Sequence, residues 1–239
     1  MSKKIDLVAE ETVINTLKKK YNLRPTIIGE ECGKIHGSDD GYLIMDAIDG
    51  TTNASRGLPF FCCSLAFALD FKLSSVVSSC IINLSNGDIY HASNGNGSYF
   101  NNNKIRVQQE YTNTDLNTSL NFGDLIIGTN VSGLSKPNLE KIETLLSITK
   151  HVRHFGANAL ELCYLAHGYL DAYVDIRNKI RITDMAAAYL IVKEAGGYMF
   201  SDTGLYLDST LDLDERLSFI ASSSKHIFNM IYDVLKKSD

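Results

Sequence analysis

The sequence predicts a layered protein of mixed class, α+β in its first half and α/β in its second. Three observations carry this. A helical apolar pattern opens the chain. Short apolar runs broken by turn residues fill the stretch to about residue 100. Helix-length and strand-length segments then alternate from about residue 120 onward. Such a pattern is satisfied by sheets and helices stacked over shared apolar faces. With only 3 prolines and no composition break, a single domain over 1–239 is expected. Its antiparallel half ends near 115 and its α/β half starts near 116.

Residues 5–20 read as an amphipathic helix, with Ile5, Val8, Val13 and Leu17 at helical spacing. Thr26-Ile27-Ile28 is a short strand that delivers Gly29-Glu30-Glu31. A second strand, 42–46, delivers Asp46. Residues 61–70, 74–83, 87–93 and 97–100 read as successive antiparallel strands, punctuated by Asn86-Gly87, Gly95 and Gly97. Asn101-Asn102-Asn103 is a polar turn. The second half reads as strand 120–128, helix 138–149, strand 151–154, helix 157–167, strand 170–175 and helix 184–195. Strands 198–201 and 218–222 and helix 224–237 complete it, with a surface loop over 202–216.

The 239 residues are 44% hydrophobic, enough for a sizeable core, and carry a net charge of -5, which gives no reason to expect nucleic acid as a partner. No apolar run approaches the roughly 18 residues of a membrane span. The N-terminus lacks the apolar core of a signal peptide. Cys32, Cys62, Cys63, Cys80 and Cys163 form an odd set with no C-x-x-C pair and read as buried hydrophobes of a reducing cytoplasm.

The chemistry concentrates in Asp46-Ala47-Ile48-Asp49-Gly50-Thr51-Thr52-Asn53. Two carboxylates three residues apart close an apolar strand and suit a hard, oxygen-seeking cation. The Gly-Thr-Thr that follows offers backbone N–H groups and hydroxyls, the groups that hold a phosphate. If the strand before Glu30 and Glu31 is a neighbour, at least three carboxylates converge at one edge, and a cation is the simplest relief of their repulsion. Taken alone, Glu30-Glu31 reads first as a solvated loop. Asp184, before a run of small residues, reads as a helix-capping acid or a metal ligand at a helix start. His151 and His154 point to opposite faces of a strand and make a poor metal pair.

Together, Gly29-Glu30-Glu31, the Asp46 octapeptide and Asp184-Met185-Ala186-Ala187 resemble the inositol monophosphatase family. Phe155-Gly156-Ala157-Asn158, Asp171-Ala172-Tyr173 and Glu194-Ala195-Gly196-Gly197 match its later segments, so the resemblance runs from about Ile5 to about Ala221. It implies a layered αβαβα sandwich of the sugar-phosphatase type and a mechanism with two or three Mg²⁺ ions. Carried over by motif, Glu30, Asp46, Asp49, Asp184 and the carbonyl of Ile48 are metal ligands, with Glu31 behind them. Thr51 orients the attacking water and Asp6 partners Thr51. The N–H groups of Gly50 and Thr51 hold the phosphate. Asn158, Asp175 and Arg177 are expected to contact substrate. The resemblance also implies a homodimer.

Four departures shape the expectation. The chain starts five residues before Asp6, where members usually carry another helix and a mobile loop. Ala47 stands where many relatives have proline, and Thr183 replaces a common tryptophan. The run Arg177-Asn178-Lys179-Ile180-Arg181 resembles archaeal members that act on both inositol phosphates and fructose 1,6-bisphosphate. A distal phosphate on Arg177, aided by Lys179 or Arg181, is one reading, and a basic solvent-exposed strand is the other. The expected activity is hydrolysis of inositol monophosphate, fructose 1,6-bisphosphate or both. The alternatives are a 3′-phosphoadenosine nucleotidase with the same metal motifs, and a non-catalytic relative.

Overall fold

The structure, a computed structural model, describes residues 2–108 and 120–237. The half boundary expected near 115 falls outside them. Helix α1 (Ser2–Thr16) passes into one wider turn, Leu17–Tyr21, that ends on Asn22 in the left-handed conformation (φ 53°). Val13, Ile14 and Leu17 cover Ile27, Leu43 and Met45, while Ile5 and Val8 are exposed. The apolar spacing therefore buries only the later part of this helix.

Among the described residues, eight strands follow in one sheet: β1 (Thr26–Gly29), β2 (Gly33–Ile35), β3 (Tyr42–Asp49), β4 (Cys62–Ala68), β5 (Val76–Asn83), β6 (Ile89–Ser93), β7 (Gly97–Phe100) and β8 (Asn103–Ile105). Their order is β2-β1-β3-β4-β5-β6-β7-β8. Every pair is antiparallel except β1 and β3, which run parallel. This corrects the purely antiparallel first half expected from the sequence. The short β2 turns back along one edge of β1, and the chain then re-enters on the other side of β1 in the original direction. After β3 comes the short helix α2 (Thr51–Arg56).

The second sheet has the order β10-β9-β11-β13-β12, with β9 (Ile126–Thr129), β10 (His151–Arg153), β11 (Ala172–Ile180), β12 (Tyr198–Ser201) and β13 (Leu217–Ser222). The expected strand 120–128 starts late, because Phe122–Asp124 form a tight helical turn in which the Asn121 side chain accepts the N–H of Gly123. Strand β11 runs five residues beyond the expected end, with a pairing irregularity between Asp175 and Ile180 and Asn178 at φ 53°. Residues 202–216 are less superficial than expected, since Leu207 and Leu211 are buried.

Helices α4 (Asn158–Ala166) and α5 (Ile182–Glu194) pack between the sheets, and α3 (Lys136–Ile148) and α6 (Lys225–Lys237) cover the outer face of the second. The layers are thus α1, the large sheet, α4 with α5, the small sheet, and α3 with α6: an αβαβα sandwich. Alternation along β11 shows how the sequence builds it. Ala172, Val174 and Ile176 join the outer core with Leu145, Phe228 and Ile231, whereas Tyr173 faces the inner core with Leu160 and Met185. The run Met185–Ala188 is fully buried, because small side chains let α5 approach its neighbours closely. All five cysteines are free. Among the described residues no helix is long and apolar enough to cross a membrane.

Candidate metal and phosphate site

The parallel pairing of β1 and β3 sets Gly29 opposite Met45, so Glu30, just past the end of β1, comes beside Asp46 within β3. Residues three apart on a regular strand point to opposite faces. Pairing of β3 with β4 shifts register between Asp46 and Asp49, however, and this irregularity lets both carboxylates reach the inner helical layer. Asp46 Oδ1 accepts the N–H of Ile48 at 3.0 Å, which secures the bulge. Asp184 enters from the first turn of α5, with its Oδ2 accepting the N–H of Arg181 at 3.3 Å. Ligand atoms of Glu30, Asp46 and Asp184 lie within 4.8 Å of one another.

The electrostatics of this cluster are those of a site built for a cation. Burial pushes the Asp46 carboxyl well above the usual range, and Asp49, Asp184 and Glu30 add to the shift. Burial likewise raises Asp49, with Asp184 contributing, and raises Glu30. Acids packed this closely and largely withdrawn from water resist ionisation unless a positive charge joins them. The donors are all oxygens and compact enough for a hard divalent ion, so the residues fit one.

Asp49 takes a different partner from the other three, with its Oδ2 accepting the N–H of Ala159 at 2.7 Å. Gly50 follows at φ 87°, where a Cβ would meet Ala157 Cβ at 3.0 Å and the Phe60 carbonyl at 3.1 Å. Only glycine fits both the conformation and the gap. Thr51 opens α2 and donates its hydroxyl to the Ile48 carbonyl at 2.9 Å, with Asp6 Oδ1 3.5 Å away. Burial and the nearby Glu31 raise the Asp6 carboxyl. Asn53 bonds the carbonyls of Phe60 and Phe155, tying α2 to the turn before α4. Asn158 Oδ1 accepts the Tyr173 hydroxyl at 2.7 Å.

The cationic run divides in two. Arg177 grips the fully buried Asp175, with Nη2 2.6 Å from Oδ2 and Nε 3.0 Å from each oxygen. Its Nη1 approaches the Ser132 carbonyl at 3.4 Å, and Lys179 Nζ donates to the Gly133 carbonyl at 2.8 Å. Arg181 turns the other way. Its Nη1 lies 2.5 Å from Glu30 Oε1 and its Nε 3.2 Å from Asp184 Oδ1. Burial works against its charge, but Asp184 and Glu30 outweigh burial and hold its pKa above the ordinary value.

Sequence reasoning missed two supporting residues. Glu10, buried in α1, accepts the N–H groups of Glu31 at 3.1 Å and Cys32 at 2.7 Å, and so holds the turn that carries Glu30. A Cβ on Gly29 would collide with the Cys32 sulfur and the Glu10 carboxylate. Glu161, fully buried in α4, accepts from Phe155 at 3.2 Å and Gly156 at 3.0 Å, while its Oε2 has no hydrogen-bond partner. Burial pushes its carboxyl up to about 8. For Glu161 the sequence signal is a charge at an otherwise apolar helix position, Leu160-Glu161-Leu162. Arg181, which the sequence offers as an aid to a distal phosphate, pairs here with the Glu30 and Asp184 carboxylates.

Comparison with known proteins follows the same lines. Residues 2–238 match the model described as the inositol monophosphatase family. A fructose-1,6-bisphosphatase/inositol-1-monophosphatase of Methanothermobacter thermautotrophicus is 33% identical, over 98% of this chain and 83% of the relative. A bifunctional NADP phosphatase/NAD kinase of Methanococcus maripaludis is 31% identical, over 93% of this chain and 40% of the relative. A solved structure from Pyrococcus horikoshii, described as a hypothetical protein with similarities to inositol-1 monophosphatase, superposes with a TM-score of 0.79 at 30% identity. It covers 98% of this chain and 84% of the other.

Proposed function

The chain belongs to the inositol monophosphatase family of metal-dependent phosphomonoesterases, and on that premise we propose that it hydrolyses inositol monophosphate, fructose 1,6-bisphosphate or both, with two or three Mg²⁺ ions. The observation that carries the reading is the carboxylate trio of buried Asp46 and Asp184 with half-buried Glu30, their ligand atoms within 4.8 Å. In this reading the ions are held by those three, by Asp49 and by the Ile48 carbonyl. Bound Mg²⁺ lowers the pKa of water and neutralises phosphoryl charge.

The chain's own residues do the rest. The Thr51 hydroxyl, held between the Ile48 carbonyl and Asp6, orients the attacking water. The N–H groups of Gly50 and Thr51 receive the phosphate. Asn158, fixed by Tyr173, and the Asp175–Arg177 pair meet the body of the substrate. A distal phosphate gains Arg177 only by sharing the guanidinium with Asp175.

Phosphate release from inositol 1-phosphate, fructose 1,6-bisphosphate, NADP and 3′-phosphoadenosine 5′-phosphate, with Mg²⁺ and with EDTA, tests this. Mg²⁺-dependent release from the first two is expected. NADP belongs in the panel because a relative named for NADP phosphatase activity is about as similar as those named for sugar phosphates. Release from a nucleotide alone would replace the substrate assignment, and no release from any would overturn the enzymatic reading. The same family reading carries a homodimer, which light scattering of the purified chain checks.

A further inference from the structure

We propose that Arg181 is a built-in competitor for the cation site: its guanidinium bridges Glu30 and Asp184 when no cation is bound and gives up that grip as a cation enters, so that it sets metal affinity. The inference rests on the reading of Glu30, Asp46 and Asp184 as metal ligands and goes beyond it.

The geometry supplies the argument. Arg181 spends two different nitrogens on two carboxylates that come from separate elements, Nη1 on Glu30 after β1 and Nε on Asp184 in α5. Both carboxylates belong to the trio whose ligand atoms lie within 4.8 Å. A guanidinium stays charged across the whole working pH range, so it cannot step aside by losing a proton. It must share carboxylate oxygens with an incoming cation, and two positive charges on one carboxylate repel. The side chain is 35% exposed, against 10% for Arg177 locked on Asp175. Arg181 therefore has solvent to move into, whereas Arg177 does not. The start of α5 survives such a movement, because the backbone N–H of Arg181, rather than its side chain, caps onto Asp184 Oδ2. In the metal-free protein the same guanidinium relieves repulsion among the acids and so favours the folded state.

Two measurements on the full chain decide this: calorimetric titration with Mg²⁺ in the absence of substrate, and thermal unfolding in EDTA. R181Q should bind Mg²⁺ about 10-fold more tightly than wild type, a difference of about 1.4 kcal/mol. It should also unfold at a lower temperature in EDTA and recover at saturating Mg²⁺. R181K keeps the charge but loses the two-point grip, so its affinity should fall between the two. It serves in place of R181Q if glutamine prevents folding in EDTA. Equal or weaker Mg²⁺ affinity in both variants, with clear binding by wild type, overturns the competitor role and leaves the metal reading standing. Wild type that binds no Mg²⁺ overturns the metal reading, and this inference with it.

Discussion

The carboxylate of Asp49 accepts the backbone N–H of Ala159 at 2.7 Å, joining positions 110 residues apart. The bond ties the end of β3 to the first turn of α4, and hence the large sheet to the helical layer that faces the small one. The Phe155 carbonyl, bonded to Asn53, and the Phe155 and Gly156 N–H groups, bonded to Glu161, reinforce the same junction. The candidate site is therefore a seam between the two halves of the chain, and its geometry depends on both.

Asp46→Asn, Asp49→Asn and Asp184→Asn should each abolish most Mg²⁺-dependent phosphate release. Asparagine keeps an acceptor oxygen for Ile48, Ala159 or Arg181 but removes the charge. Folding should persist while metal affinity falls. Near wild-type turnover at saturating Mg²⁺ in any of the three would remove that residue from the ligand set.

Thr51→Ala should lower kcat by about 10²-fold with little change in KM, the scale of lost assistance to a positioned water. The hydroxyl is already oriented by the Ile48 carbonyl, and Asp6 stands behind it. Steady-state kinetics separate the possibilities: a large KM rise at constant kcat would make Thr51 a binding residue.

Arg177 needs a gentler variant than alanine. Removing the guanidinium would strand the buried Asp175 carboxylate, a loss of about 3–5 kcal/mol that would obscure any effect on substrate. Arg177→Lys keeps a cation beside Asp175 but gives up the two-pronged grip. It should unfold near the wild-type temperature and lose about 10-fold in kcat/KM on fructose 1,6-bisphosphate, with inositol 1-phosphate little affected. Equal losses on the two substrates would assign Arg177 to the fold.

Glu161 should make the metal-free protein less stable as pH rises. Its carboxyl titrates near 8 when folded and at an ordinary value near 4.5 when unfolded. The folded state therefore holds the proton more tightly, and the stability present below about pH 4.5 is lost as pH rises through about 8. Other raised acids, Asp46 and Asp175 among them, act with the same sign, so the comparison that matters is with Glu161→Gln. Glutamine keeps an acceptor for Phe155 and Gly156 but cannot ionise. Urea unfolding in EDTA should find the variant close to wild type at pH 5 and more stable by on the order of 5 kcal/mol at pH 9. A gap that does not change with pH would mean that Glu161 ionises normally.

The residues most legible from sequence were those whose chemistry is written into a short segment. An apolar strand, two acids three apart and a glycine before two threonines announce Asp46, Asp49, Gly50 and Thr51 within eight positions. The acid in the first turn of α5 is legible for the same local reason. The αβαβα layering came from the order of apolar patterns and from the family resemblance that these motifs carry. Other features were invisible because they are contacts between distant segments. The parallel pairing of β1 with β3 places Glu30 beside Asp46, yet nothing in either strand states its direction relative to the other. Glu10 reaches across 22 positions to hold the turn at Cys32, and Arg181 reaches across 151 to Glu30. A local pattern reports which face of an element seeks burial. It does not report which charged side chain will find a carboxylate on another element, because that choice is made only when the layers pack and each buried charge must be paired.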